Sequence, residues 1–115
     1  MTTDCLFCKM VSGAIKPATV HEDDDVLAFK DINPQAPVHV LVIPKRHIAT
    51  LNDLKPADAA LVGKLVLVAG NIARELGVAD SGYRTVMNCN ADAGQSVWHV
   101  HLHLLGGRVM RWPPG

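Results

Sequence analysis

Residues 99–104 read His-Val-His-Leu-His-Leu, and no other stretch limits the fold as much as this alternation of imidazole and apolar side chains. Successive side chains on a β-strand point to opposite faces, whereas a helix would scatter the same residues around its circumference. The segment therefore reads as a strand, with Val100, Leu102 and Leu104 turned to a core and His99, His101 and His103 lining the other face. Residues two apart on a strand are separated by about 6.6 Å, so the outer imidazoles start about 13 Å apart at their backbones. A metal bound at about 2.1 Å can take two neighbouring rings from a straight strand but hardly all three. At least one ring is left for other work. A neutral imidazole with an ordinary pKa near 6.5 is mostly unprotonated at pH 7 and can serve as nucleophile or base. Three polar residues on a solvated face, or a site that only binds metal, are the competing readings of the same pattern.

The rest of the chain supplies a frame for that strand. The segment 26–32, VLAFKDI, follows the acidic turn EDDD and stops at Asn33-Pro34, while 38–44, VHVLVIP, is a β-branched run between prolines. These two predict a hairpin or neighbouring pair. From Pro56 to Leu76 the period changes to that of a helix, with Leu61, Leu65, Val68, Ile72 and Leu76 on one face and Gly77 just past its end. Gly63 and Gly70 share a helix face and suggest close approach to another backbone. Residues 84–90, RTVMNCN, and 100–106, VHLHLLG, read as further strands joined by the loop ADAGQS, with Cys89 a small strand residue. One long helix against an antiparallel sheet is an α+β arrangement.

Composition excludes several function classes. The 115 residues suit one domain, 1–115, without repeats or linkers. Eleven basic residues balance eleven acidic ones, so no positive field points to a nucleic-acid partner. The N-terminal stretch MTTDCLFCKMVSG lacks the apolar core of a signal peptide, and no run of about 18 uninterrupted apolar residues is present, which predicts a cytoplasmic protein with no membrane partner. Of the three cysteines, Cys5 and Cys8 have the two-residue gap of a metal-ligand pair and need two further ligands for a closed site. Two unligated thiols remain the other reading.

The run HVHLHLL has the His-φ-His-φ-His-φ-φ form of the histidine triad (HIT) superfamily. DDDVLAFKDINPQAPVHVLVIPKRHI, GYRTVMN, GQSVWHVHLHLLGGR and the terminal WPPG resemble its nucleotide-binding branch, and together they span nearly the whole chain. The resemblance implies a sheet of about five antiparallel strands with one long helix and a short N-terminal helix, the sheets joining across a homodimer. It implies hydrolysis of purine nucleoside 5′-phosphoramidates, of the adenosine 5′-monophosphoramidate or aminoacyl-adenylate type, through a nucleotidyl-histidine. His101 would be the nucleophile, oriented by the carbonyl of His99, with His103, Ser96 and the additional histidine His39 completing the catalytic set. The nucleotide would meet Phe7, Phe29, Asp31, Ile32, Asn88, Gly94, Gln95, Ser96, Val97, His101 and His103, with Trp112 near the leaving-group side of a partner's site. Asp31, a turn-capping residue by its sequence context alone, becomes the ribose ligand. The related galactose-1-phosphate uridylyltransferases build a zinc site from a CxxC pair and two histidines, which implies a structural Zn²⁺ on Cys5, Cys8, His47 and His99 and no cofactor for the chemistry. Two further functions stay open: a dinucleoside polyphosphate hydrolase, and a nucleotide- or zinc-binding interaction protein with vestigial catalysis.

Overall fold

A computed structural model describes residues 4–115; the first three residues of the N-terminal stretch read above lie outside it. The elements run α1 (Leu6–Ser12), β1 (Thr19–Glu22), β2 (Val26–Lys30), β3 (Val38–Pro44), α2 (Ala59–Glu75), β4 (Tyr83–Val86) and β5 (Leu102–Gly106), with short 3-10 turns at Leu51–Asp53 and Pro56–Asp58. The strands form one antiparallel sheet in the order β1-β2-β3-β5-β4.

The two-residue period of each strand decides which cluster its side chains join. Val26 and Ala28 of β2, Val40 and Val42 of β3, and Leu102 and Leu104 of β5 pack on one face against Leu65, Val68, Ala69, Ile72 and Ala73 of α2. The alternate residues Leu27, Phe29, Leu41 and Ile43 turn to the other face, where Phe7 of α1 covers them. Both faces of β2 and β3 are therefore covered, which is why these strands read as nearly continuous apolar runs. With its leading 3-10 turn, the helix over Pro56–Glu75 is apolar enough by length and composition to cross a bilayer; one face of it packs on the sheet, while Val66 and Leu67 stay exposed.

Several expectations shift in detail. The strand expected at 26–32 ends at Lys30, and the one expected at 84–90 occupies Tyr83–Val86, leaving Cys89 outside it. β1 has only four residues with no buried position, so it carries no apolar pattern to find. Pro56 opens the 3-10 turn instead of α2 itself, and Asp58 closes it by accepting from the Lys55 amide at 2.8 Å and pairing with Arg46. Those contacts, the amide first, hold the Asp58 carboxyl below the usual carboxylate range. Leu76 sits at the C-cap and is exposed, followed by Gly77 in the left-handed region. Neither helix glycine meets another backbone: Gly63 faces open space, and Gly70 faces the Tyr83 hydroxyl.

At the end of β5 the chain turns through Gly107, whose φ is +86° and where a Cβ would sit 2.9 Å from the Pro37 ring. Gly107→Ala should cost about 1–3 kcal/mol from strain and overpacking combined. Urea unfolding with an unchanged midpoint would contradict this.

Candidate active site and metal centre

The pocket face of the sheet gathers chemistry because the same parity that aims Leu27 and Phe29 off β2 also aims Asp31, just past its end. His39 leaves β3 on that face, and His103 leaves β5 opposite Leu41. The histidine alternation extends beyond the hydrogen-bonded strand, since β5 begins only at Leu102, while His101 precedes it outside any strand and His99 sits in a bend. Side-chain direction is retained: Val100 joins the α2 core, whereas His101 faces Phe7 at 5.2 Å and His103 at 4.9 Å between ring centroids.

A cavity of 430 Å³ opens between these rings and α1, a size usual for small-molecule sites. Of the residues expected at a nucleotide, Phe7, Phe29, Asp31, Ile32, Ser96, Val97, His101 and His103 line it. Asn88, Gly94, Gln95 and Trp112 do not. The Gln95 amide is fully engaged inside the loop, accepting from Asn90 N–H at 2.9 Å and donating to the carbonyls of Ala49 and Val97 at 2.8 and 3.1 Å. Its side chain holds the turn that carries Ser96 and Val97. Trp112 is exposed and lies 5.9 Å from the Arg84 guanidinium, away from this chain's cavity. Leu6, Met10, Leu41, Lys30 and the loop 15–18 also line it; sequence reasoning missed them because apolar residues carry no chemical mark and a lone lysine such as Lys16 or Lys30 reads as an ordinary surface residue. A larger, more open cavity of 560 Å³ is lined by Ser81, Tyr83, Arg84 and Arg108 and by none of the histidines.

The ring nitrogens are sorted by their partners. His101 Nδ1 donates to the carbonyl of His99 at 2.7 Å, which leaves Nε2 with the lone pair. Burial lowers the His101 pKa, against the opposing pull of that carbonyl and the Asp31 charge, so the ring stays neutral and nucleophilic. His99 is fully buried and donates from Nε2 to the Pro44 carbonyl at 2.8 Å, so its Nδ1 lone pair points elsewhere. Asp31 Oδ1 accepts from the Asn33 amide at 2.8 Å, as a turn-capping residue does, while Oδ2 lies 3.4 Å from His39 Nε2. Asp31 thus caps its turn and also lines the cavity.

The His99 lone pair faces three further side chains, Cys5, Cys8 and His47, that together with it could hold a metal ion. Its Nδ1 is 3.4 Å from Cys5 Sγ, 3.6 Å from Cys8 Sγ and 3.2 Å from His47 Nδ1, and His47 Nδ1 is 3.3 Å from Cys8 Sγ. A tetrahedron with bonds of 2.0–2.3 Å has edges of about 3.3–3.8 Å, so these four atoms fit one ion. The Pro44 carbonyl is the outer partner that ligating histidines ordinarily have, and the Cys8 amide donates to Cys5 Sγ at 3.4 Å. The triad thus contributes a single ligand to this centre, in keeping with the distance argument.

The HIT domain family matches residues 12–110. The chain belongs to the HIT family. An uncharacterized HIT-like protein of Synechocystis sp. is 51% identical over 115 residues, covering all of both chains. The purine nucleoside phosphoramidase of Escherichia coli K12 is 44% identical over 110 residues, covering 96% of this chain and 92% of its own. A HIT family hydrolase from Legionella pneumophila superimposes with a TM-score of 0.95 at 52% identity, covering 96% of this chain and 99% of that one. This HIT chain has the five-stranded antiparallel sheet, long helix and short N-terminal helix expected of it.

Protein purified without chelator should carry one divalent metal per chain by elemental analysis. Cys8→Ser should lose it, with a fall of several degrees in Tm as α1 is released. Equal metal content in both proteins would remove these four residues as its ligands.

Proposed function

We propose that this HIT protein hydrolyses the P–N bond of purine nucleoside 5′-phosphoramidates, giving the nucleoside monophosphate and an amine. The observation that carries the reading is the His101 ring, which lines a nucleotide-sized cavity with its Nδ1 already bonded to the His99 carbonyl. The phosphoramidase relative, similar over nearly its whole length, supports the substrate class.

Water attacks an anionic phosphoramidate slowly, and a covalent intermediate divides the barrier in two. His101 Nε2 attacks the α-phosphorus, forming a new P–N bond as the bond to the amine breaks. The departing nitrogen takes a proton, for which the Ser96 hydroxyl on the cavity wall is the available donor. The His99 carbonyl stabilises the imidazolium character that develops as His101 loses its lone pair to phosphorus. Water then attacks phosphorus and frees the ring. His103 donates to the phosphoryl oxygens, and main-chain N–H groups in the turn held by Gln95 can add to it. Asp31 Oδ2 accepts from the ribose hydroxyls while Phe29, Phe7 and Ile32 contact the base. Ile32, 99% exposed, lacks any apolar cover until a base provides it.

The Cys₂His₂ donor set selects zinc, and its four ligands leave no open position, so the ion's role is structural. It ties α1, which bears Phe7, to the segment bearing His99. We also read the protein as a homodimer. The exposed apolar side chains of Val66 and Leu67 on α2, and the edge position of β4, support this.

Incubation with a fluorogenic adenosine phosphoramidate should show turnover by wild type and a loss of about a thousandfold or more in His101→Ala. Equal rates would remove His101 as the nucleophile. Faster wild-type cleavage of diadenosine polyphosphates would favour the polyphosphate hydrolase reading instead.

A further inference from the structure

We propose that the main-chain amide of Gln35, acting through the His39 ring, locks His103 as a neutral Nε2–H donor, which makes His39 a positioning residue and bars His103 from delivering a proton. The proposal rests on reading the cavity as a nucleotide site. Its first half depends only on the hydrogen bonds around two rings.

The Gln35 N–H donates to His39 Nδ1 at 3.0 Å, and an amide cannot reverse its role, so that nitrogen must hold a lone pair. The proton of neutral His39 is then on Nε2. Both groups near Nε2 agree with this, since it lies 2.9 Å from His103 Nδ1 and 3.4 Å from Asp31 Oδ2, a carboxylate oxygen able only to accept. His103 Nδ1 is therefore an acceptor, and its own proton sits on Nε2. The two neighbouring triad rings thus have opposite tautomers: His101 keeps a lone pair on the nitrogen where His103 keeps a hydrogen.

A second proton on His103 would have to enter at Nδ1, against the His39 Nε2–H. His39 can yield only by moving its proton to Nδ1, where the Gln35 amide hydrogen already points. His39 therefore ends the chain of hydrogen bonds and cannot relay a proton along it. The charged and titratable groups around His103 are His101 on its own segment, His39 from β3 and Asp31 after β2. Burial, reinforced by the two histidines and opposed by Asp31, pushes the His103 pKa down to about 4, in the direction the tautomer chain requires. Asp31, His39 and His103 are close enough to share a cation, but protons account for both short contacts among them. The leaving amine must then be protonated by another group, a task left to the Ser96 hydroxyl or water.

Long-range ¹H–¹⁵N correlation spectra of imidazole-labelled full-length protein between pH 5 and 8 test this directly. Wild type should show His103 protonated at Nε2, bare at Nδ1 and without titration in that range. His39→Gln, which keeps an amide donor near the Nε2 position, should preserve that signature. His39→Leu should let His103 exchange tautomers and titrate nearer the ordinary histidine value, with kcat for the phosphoramidate down about tenfold and largely restored in His39→Gln. A wild-type His103 bearing its proton on Nδ1, or titrating near 6.5, would overturn the proposal. So would an unchanged His103 spectrum in folded His39→Leu. If His39→Leu does not fold, the wild-type and His39→Gln spectra decide. An Nε2–H signature in a protein that turns over no phosphoramidate would support the tautomer lock and reject the proposed function.

Discussion

The hydrogen bond from His101 Nδ1 to the carbonyl of His99 is the interaction on which the site depends. A neutral imidazole has one lone pair and one N–H, and its chemistry is settled by which nitrogen holds which. Here backbone groups make that choice. The Pro44 carbonyl leaves His99 with a lone pair toward the metal ligands, and the His99 carbonyl leaves His101 with one toward the cavity. Main-chain groups cannot exchange donor for acceptor, so the roles persist without a bound substrate.

Those carbonyls are fixed in turn by the packing beneath them. Val100, Leu102 and Leu104 interlock with α2, and the Val100 amide donates to the Ile48 carbonyl at 2.7 Å, tying the triad segment to the arm that carries His47. On the opposite face the seven-residue α1 is too short to persist alone. It is anchored by Phe7, only 3% exposed, and carries Cys8 of the four side chains placed to hold a metal ion. His99 joins that group through its ring and the cavity through its carbonyl, so one segment serves both.

Much of this was legible in the sequence because period-two alternation transfers directly into faces. The assignment of Val100, Leu102 and Leu104 to the core and the pairing of 26–30 with 38–44 follow from pattern, whereas the convergence of Cys5, Cys8, His47 and His99 is what the family resemblance implies. What stayed hidden has physical reasons. β1 is short and lies at the sheet edge, so burial imposes no pattern on it. The side-chain role of Gln95 has no mark in the sequence, because its amide meets three backbone groups that only the folded loop brings together. The tautomer of His39 depends on Gln35, four residues away across a turn, and no spacing rule reports the direction of an amide hydrogen.

The central claim is that His101 Nε2 becomes bonded to phosphorus, and the stereochemical course at that atom tests it most directly. With a phosphoramidate made chiral at phosphorus by isotopic or sulfur substitution, two successive in-line displacements, first by His101 and then by water, each invert the centre. Net retention in the nucleoside monophosphate is the expected result. Net inversion would mean that water attacks directly, and the account of His101 as a covalent nucleophile would be wrong.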